Sequence, residues 1–216
     1  MKTVKICAIA DLHSNLALKM PPADILTVSG DLTYRGSLLE LSNVRHWLRE
    51  QPAKYKVVIA GNHDFGLEDW RTRSEAESYL AGDNIYYLRD NSVTLEGLKI
   101  YGSPWQPWFY DWAFNLQRGP EIAEKWAMIP DDVDVLLTHG PPYGYGDQVK
   151  RGRVGCEDLL AAIDKKKPRV VCYGHIHEDP GTWHRNGTTL INCSVGYGVY
   201  HGMPQNNPTV FELETK

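Results

Sequence analysis

At 216 residues and 24.5 kDa, with 42% hydrophobic residues, the chain is sized for one domain with a full core. Its formal net charge of -4 leaves no general basic field, which argues against nucleic-acid binding by bulk electrostatics; Lys165, Lys166 and Lys167 form only a small run at an expected helix end. Cys7, Cys156, Cys172 and Cys193 lack metal-type spacing and read as buried, reduced thiols, and no apolar run approaches the roughly 20 residues needed to span a bilayer. The N-terminal run stops at Asp11 without a cleavage-type signature, so a soluble cytoplasmic protein with no membrane partner is expected; composition leaves the oligomeric state open.

In chain order, an apolar, β-branched run at 4–10 reads as a buried strand that ends on Asp11-Leu12-His13. A second strand at 25–29 ends on Gly30-Asp31, a helix covers 37–50, and a strand at 56–60 ends on Gly61-Asn62-His63-Asp64. With a helix at 70–81, the first half shows the strand–helix alternation of an α/β fold. Short strands at 85–88, 92–96 and 98–102 and a helix at 120–127 lead to a strand at 133–138 that ends on Thr138-His139-Gly140. A helix at 156–167 and a strand at 169–173 deliver Gly174-His175-Ile176-His177. Runs at 181–185, 188–194 and 208–213, separated by Gly, Asn and Pro, read as antiparallel β. The inventory fits an α/β fold of two face-to-face mixed β-sheets flanked by helices, in a single domain covering 1–216. Asp24-Ile25-Leu26-Thr27 before Gly30-Asp31 echoes Asp134-Val135-Leu136-Leu137 before His139-Gly140. The echo marks either two halves that each present a ligand strand or merely the common composition of buried strands.

Five Asp, His and Asn clusters thus stand just after strands, and ligands of α/β sheets gather at the carboxyl ends of strands. Taken singly, each such residue is an ordinary turn, cap or surface group; jointly, at five strand ends, they point to a polynuclear metal site. Asp11 and His13, like His175 and His177, are two residues apart, so an extended segment would point each pair to one side. Oxygen and imidazole donors without thiolates suit divalent ions that activate water on a phosphorus ester. Asp31, in a tight Gly30-Asp31 turn, is placed to bridge two ions, Asn62 adds a neutral oxygen and His63 a titratable group. His46 reads as a helix-surface residue, His184 lacks a strand-end context, and His201 stays unassigned.

The ordered set D-x-H, G-D, G-N-H-D, H-G and G-H-x-H from Asp11 to His177 resembles the calcineurin-like metallophosphoesterase superfamily. The likeness extends to the metallophosphoesterase-domain-containing (MPPED) proteins, related to class III cyclic-nucleotide phosphodiesterases. It is carried by Gly102-Ser103-Pro104-Trp105-Gln106-Pro107, Trp112-Ala113-Phe114-Asn115, Thr138-His139-Gly140-Pro141-Pro142, Gly155-Cys156-Glu157, Gly174-His175-Ile176-His177-Glu178 and the Asn-Pro-x-Val-Phe-Glu-Leu ending at 207–213. The resemblance implies a ββ sandwich with helices outside and two adjacent divalent metals. By motif position, Asp11, His13 and His177 would hold one ion, Asn62, His139 and His175 the other, and Asp31 both. Mn, Fe, Zn, Co and Ni all suit such donors, with Mn expected to support activity in vitro. His63 would face the substrate, and Asp31, Asn62 and His63 would carry the catalysis. Protein Ser/Thr phosphatases of the superfamily carry G-D-x-x-D-R-G; here Tyr34 replaces the second Asp, while Arg35 stays in place as a phosphate contact. That departure argues against the protein-phosphatase subclass and leaves open whether Asp64 or another group orients His63.

The expected activity is hydrolysis of a small nucleotide-type phosphodiester, such as a cyclic nucleotide, by metal-activated hydroxide with His63 as general acid. The alternatives are a phosphomonoesterase or protein phosphatase, and a non-catalytic scaffold of the same fold. Six aromatics crowd 105–114: Trp112 and Phe114 are expected to pin a long loop, whereas Trp105, Trp108 and Tyr110 are candidates to wall the site for a nucleobase.

Overall fold

The computed structural model describes residues 1–69, 71–196 and 206–215; His201 lies outside the described residues. In chain order the first half comprises β1 (Thr3–Ile9), β2 (Ile25–Ser29), α1 (Leu38–Glu50), β3 (Tyr55–Ile59), α2 (Phe65–Glu68), α3 (Arg73–Leu80) and β4 (Ile85–Tyr87). Next come β5 (Asn91–Leu95), β6 (Leu98–Ser103), β7 (Gln106–Pro107), β8 (Asn115–Leu116), α4 (Pro120–Ala127) and β9 (Val135–Thr138). The chain continues with β10 (Gln148–Val149), β11 (Gly152–Arg153), α5 (Glu157–Lys166), β12 (Val170–Tyr173), β13 (Gly181–Arg185), β14 (Thr188–Asn192) and β15 (Thr209–Glu214).

Two mixed sheets form, in the orders β15-β1-β2-β3-β4 and β13-β14-β12-β9-β6-β5. The strand alternation explains how they stack. Val4, Ile6, Ala8 and Ala10 point one way from β1 and its end and meet Ile100, Val135, Leu137 and Cys172 of the second sheet, an apolar interlayer between the sheets. The opposite face of the first sheet, including Cys7, Ile9, Leu26 and Val28, packs on Leu41, Val44 and Leu48 of α1 and on Ala76 and Leu80 of α3. The outer face of the second, including Tyr101, Leu136, Val171 and Leu190, packs on Ile122 and Trp126 of α4 and on Leu159 and Ile163 of α5. Helix α1 starts with a capping box between Ser37 and Glu40, and α5 with the Cys156 side chain accepting from the Leu159 amide. All four thiols are buried and free, as their apolar contexts predict.

The C-terminal third departs from the expected antiparallel unit. β14 is antiparallel to β13 but parallel to β12, and β15 leaves that sheet to pair antiparallel with β1, with Ile6 opposite Phe211. Alternating, half-polar strands specify a paired edge and a buried face, not which partner supplies the other edge. The echo between the halves is a real local structure: Asp24 accepts the Lys5 amide at 2.8 Å, and Asp134 accepts the Lys99 amide at 3.0 Å. Each carboxylate thereby ties the start of a parallel strand, β2 or β9, to its neighbour, β1 or β6. His46 lies exposed on α1 facing Glu50, and His184 faces Thr189 across the β13–β14 pair. Among the described residues, no helix is long and apolar enough to cross a membrane.

Candidate metal centre

The parallel strands β1, β2 and β3 of one sheet and β9 and β12 of the other end at the same rim, and the five clusters meet there. Chain turns, not extended segments, deliver the first pair of ligands: β1 ends at Ile9, and Asp11 and His13 take left-handed conformations with φ of 62° and 44°. Asp31 and His175 do the same, with φ of 51° and 67°. Left-handed non-glycine residues cost conformational energy and persist where surroundings over-determine them. Here neighbouring loops supply that determination: Asp11 N donates to Gly30 O (3.0 Å), His13 N to Asp31 O (2.9 Å) and Gly174 N to His139 O (2.9 Å). Carboxylates complete the lacing, with Asp11 accepting the His175 amide at 3.1 Å and Asp31 Oδ1 the His63 amide at 2.8 Å. Gly61 and Gly174 are required by close approach, since a Cβ at the first would overlap Asp31 and at the second the Asp11 carboxylate.

The donor atoms converge in two directions from Asp31. Its Oδ2 lies 3.6 Å from His13 Nε2, and its Oδ1 lies 3.4 Å from His139 Nε2. On the first side, His177 Nε2 is 3.4 Å from both His13 Nε2 and Asp11 Oδ1. On the second, Asn62 Oδ1 stands between His139 Nε2 (2.9 Å) and His175 Nδ1 (2.7 Å). Three sets of ligand atoms each fall within 4.8 Å of one another: Asp11, His13 and His177; His13, Asp31 and His63; and Asp11, Asp31 and His139. His139 turns Nδ1 to Ser29 O at 3.0 Å, which aims Nε2 inward. Buried carboxylates and facing imidazole nitrogens at these separations fit hard or borderline divalent cations, and the donors contain no thiolate.

Opposite charges at close range couple the titrations of the cluster. Burial alone would raise the Asp11 carboxyl, but the charge and hydrogen bond of His177 outweigh it and set the pKa at about 2. Burial would lower His139, yet Asp31 beside it lifts it to about 9; Asp31 itself is driven well below the carboxylate range despite its burial, chiefly by His139. Burial and the neighbouring His139 push His175 down to about 3.

The centre floors a cleft of about 680 Å³. His63 projects into it with Nδ1 3.2 Å from the Tyr34 carbonyl, while its ring lies 4.4 Å from the Trp112 ring. The orienting group is therefore main chain, which needs no particular side chain and leaves no sequence signal beyond the replaced Asp. Asp64 does not orient His63. Its carboxylate is closed in by the amides of Gly61, Leu32 and Thr33 and by the Thr33 hydroxyl at 2.7 Å, and burial, then the nearby Asp31, raise it to about 7.

The expected substrate contacts divide. Trp108 and Tyr110 line the cleft, together with Phe109, whose ring is 5.6 Å from that of His175. Trp105 is placed elsewhere: half-buried against Phe114 at 5.5 Å, it donates Nε1 to Asp90 at 2.8 Å. Trp112, expected to serve only packing, flanks His63, whereas Phe114 is fully buried in the core. Arg35 is not among the cleft residues; its guanidinium covers the Phe65 and Trp112 rings at 5.5 and 5.7 Å. Sequence reasoning gave no place in the cleft to Trp112, Phe109 or the β10–β11 hairpin, because composition does not say which side of a loop faces the metals. Buried Asn192 was also silent: its amide donates to the carbonyls of Gly146 (3.0 Å), Ile176 (2.8 Å) and Asp179 (3.0 Å), tying the His177 loop to the base of that hairpin.

Comparison with known proteins agrees with this geometry. Residues 4–179 match the calcineurin-like phosphoesterase family model. Human metallophosphoesterase domain-containing protein 1 is 40% identical over 98% of this chain and 71% of its own length. A probable cyclic nucleotide phosphodiesterase of Synechococcus is 28% identical over 85% of this chain and 68% of its own. In fold, the chain is similar to the phosphopantetheinyl hydrolase of Mycobacterium tuberculosis, with a TM-score of 0.64 at 17% identity over 93% of this chain and 95% of that one. With family model, relatives and a ligand cluster at the strand ends all in accord, the chain belongs to the calcineurin-like metallophosphoesterases, a family of metal-dependent hydrolases acting on phosphoesters.

Proposed function

We propose that the protein is a phosphodiesterase that uses two divalent ions, Mn being one suited to the donors, on small nucleotide-type esters such as cyclic nucleotides. The observation that carries this reading is Asp31, whose two oxygens face His13 on one side and His139 on the other. Asp11, His13 and His177 would hold one ion, Asn62, His139 and His175 the other, and Asp31 both. Ions bound there supply Lewis-acid activation of water and neutralise charge on the phosphoryl oxygens. The Synechococcus relative, named as a probable cyclic nucleotide phosphodiesterase, and the aromatic wall of Trp108, Phe109 and Tyr110 support the substrate class.

His63 supplies the proton. Its Nδ1–H is held by the Tyr34 carbonyl, so the imidazolium gives up the Nε2 proton and relaxes to the tautomer that carbonyl already stabilises. Trp112 beside the ring limits its swing. Leaving-group basicity tests the role. An alkoxide needs the proton as the P–O bond breaks, and p-nitrophenolate does not. On the Mn-loaded protein, His63→Ala should retain both ions and lose on the order of a hundredfold or more on alkoxide esters, with a much smaller loss on bis(p-nitrophenyl) phosphate. Equal losses on both, or loss of an ion by elemental analysis, would remove His63 from this role; no hydrolysis of either diester by wild type under any of the five metals would remove the phosphodiesterase reading.

A further inference from the structure

The β10–β11 hairpin, whose two-residue turn is Lys150-Arg151, lines the same cleft as the aromatic wall through Val149 and Arg151. Two arginines line the cleft, Arg118 and Arg151, and they differ in how they are used. Arg118 is committed to the fold: its guanidinium donates to Gly155 O at 2.7 Å, Val154 O at 2.6 Å and Glu157 at 2.8 Å. Arg153, next along the hairpin, is paired with Asp147 at 2.6 Å. Arg151 makes no ion pair or hydrogen bond with any described residue, although Glu178 lines the same cleft.

The hairpin is nevertheless a fixed support. Asp147 is fully buried at its base and accepts from Gly144 N (2.9 Å), Gly155 N (3.0 Å) and Arg153. Gln148 N donates to Asp179 at 3.0 Å, and Asn192 joins Gly146 to the loop that carries His177. A guanidinium with its whole donor fork unspent therefore stands on a base tied to the metal centre, in the same cleft as three aromatic rings. A planar fork of this kind matches phosphate oxygens bidentately.

We propose that Arg151 forms a second anion subsite of the cleft, which selects phosphodiesters carrying a further, non-scissile phosphate beside the one attacked at the metal centre. This rests on the phosphodiesterase reading and sharpens it: a cyclic mononucleotide has one phosphate and leaves Arg151 unused. Nucleotide diesters bearing a terminal phosphate engage all three parts of the cleft, with the scissile phosphate at the metals, the base on the aromatic wall and the terminal phosphate at Arg151.

The test compares thymidine 5′-(p-nitrophenyl phosphate) with the same ester carrying a 3′-phosphate, on the Mn-loaded protein. Wild type is expected to favour the 3′-phosphorylated ester in kcat/KM on the order of tenfold, the scale of a charge-assisted hydrogen bond. Arg151→Gln should bring the ratio to about one, Arg151→Lys should keep part of it, and Arg151→Glu should invert it. Titration calorimetry of both esters gives the same ratio as affinities at early times or without turnover, so failed hydrolysis would count against the phosphodiesterase reading while the affinity ratio still decides the subsite. A ratio unchanged by Arg151→Gln, or a wild-type ratio at or below one, overturns the proposal.

Discussion

The metal rim and the aromatic segment 105–114 are neighbours in the cleft and are built on opposite principles. Every candidate ligand at the rim is held by at least one other loop of the cluster: Asp31 contacts His13, His139 and the His63 amide, and Asp11 contacts His177 and the His175 amide. The aromatic segment is split between packing and exposure. Trp105 and Phe114 are spent on the core, whereas Trp108, Phe109 and Tyr110 remain 54%, 40% and 65% exposed. The rim can therefore keep one geometry across reactions, while the wall can accept different organic groups. In the proposed reading, chemistry belongs to the first region and contacts with the organic group to the second.

Breaking the rim should have the largest effect. Asp31→Asn removes the shared charge from both sides; since even an outer-shell partner of a metal ligand is worth about 10- to 100-fold, turnover should fall by more than about a hundredfold and both ions should be lost. Elemental analysis with two ions retained at full activity would refute the bridge. Next in size is Trp105→Ala, which deletes a core-packed ring and its bond to Asp90: stability should drop by about 3 kcal/mol, with a fall in Tm of about 6–12 °C and similar KM values for nucleotide and aryl esters. Trp108→Ala sharpens the contrast, because an exposed ring stacked on a base should cost about 1 to 3 kcal/mol in KM for nucleotide esters, with no comparable change in Tm or in small aryl phosphates. If the two tryptophans exchange these signatures in melting curves and KM, the division of the segment is wrong.

The smallest effect concerns protons at the rim. In the metal-free protein His139 is raised to about 9, whereas His175 is lowered to about 3, so at pH 8 only the former must shed a proton to bind a cation. Mn titrations in two buffers of different ionisation enthalpy should therefore show proton release at pH 8 and weaker apparent affinity as the pH falls further. The linked stability has a definite sign. A raised imidazole pKa stabilises the metal-free fold fully below its ordinary value of about 6.5 and loses that contribution as pH rises through about 9, so Tm of the metal-free protein should decline across that interval. Buffer-independent heats and a flat Tm would contradict the His139–Asp31 pairing.

The residue pattern by itself determined the two-sheet sandwich and the meeting of five clusters, because period-two apolar runs declare buried strands and the clusters stand at their carboxyl ends. Val4, Ile6 and Ala8 are legible as one face of a strand, and Asp31 as the candidate for a shared ligand, before any coordinates are known. Only the tertiary structure decided how those ligands arrive. Asp11 and His13 come on left-handed turns stabilised by Gly30 and Asp31, contacts 19 and 18 residues away along the chain. It alone placed Tyr34's carbonyl on His63, moved Trp105 away from the cleft and Trp112 into it, and sent β15 to the first sheet. The reason is the same in each case: a side chain's type and local period fix what it can bond, but which partner it finds depends on loops folded against loops, and that information is not local.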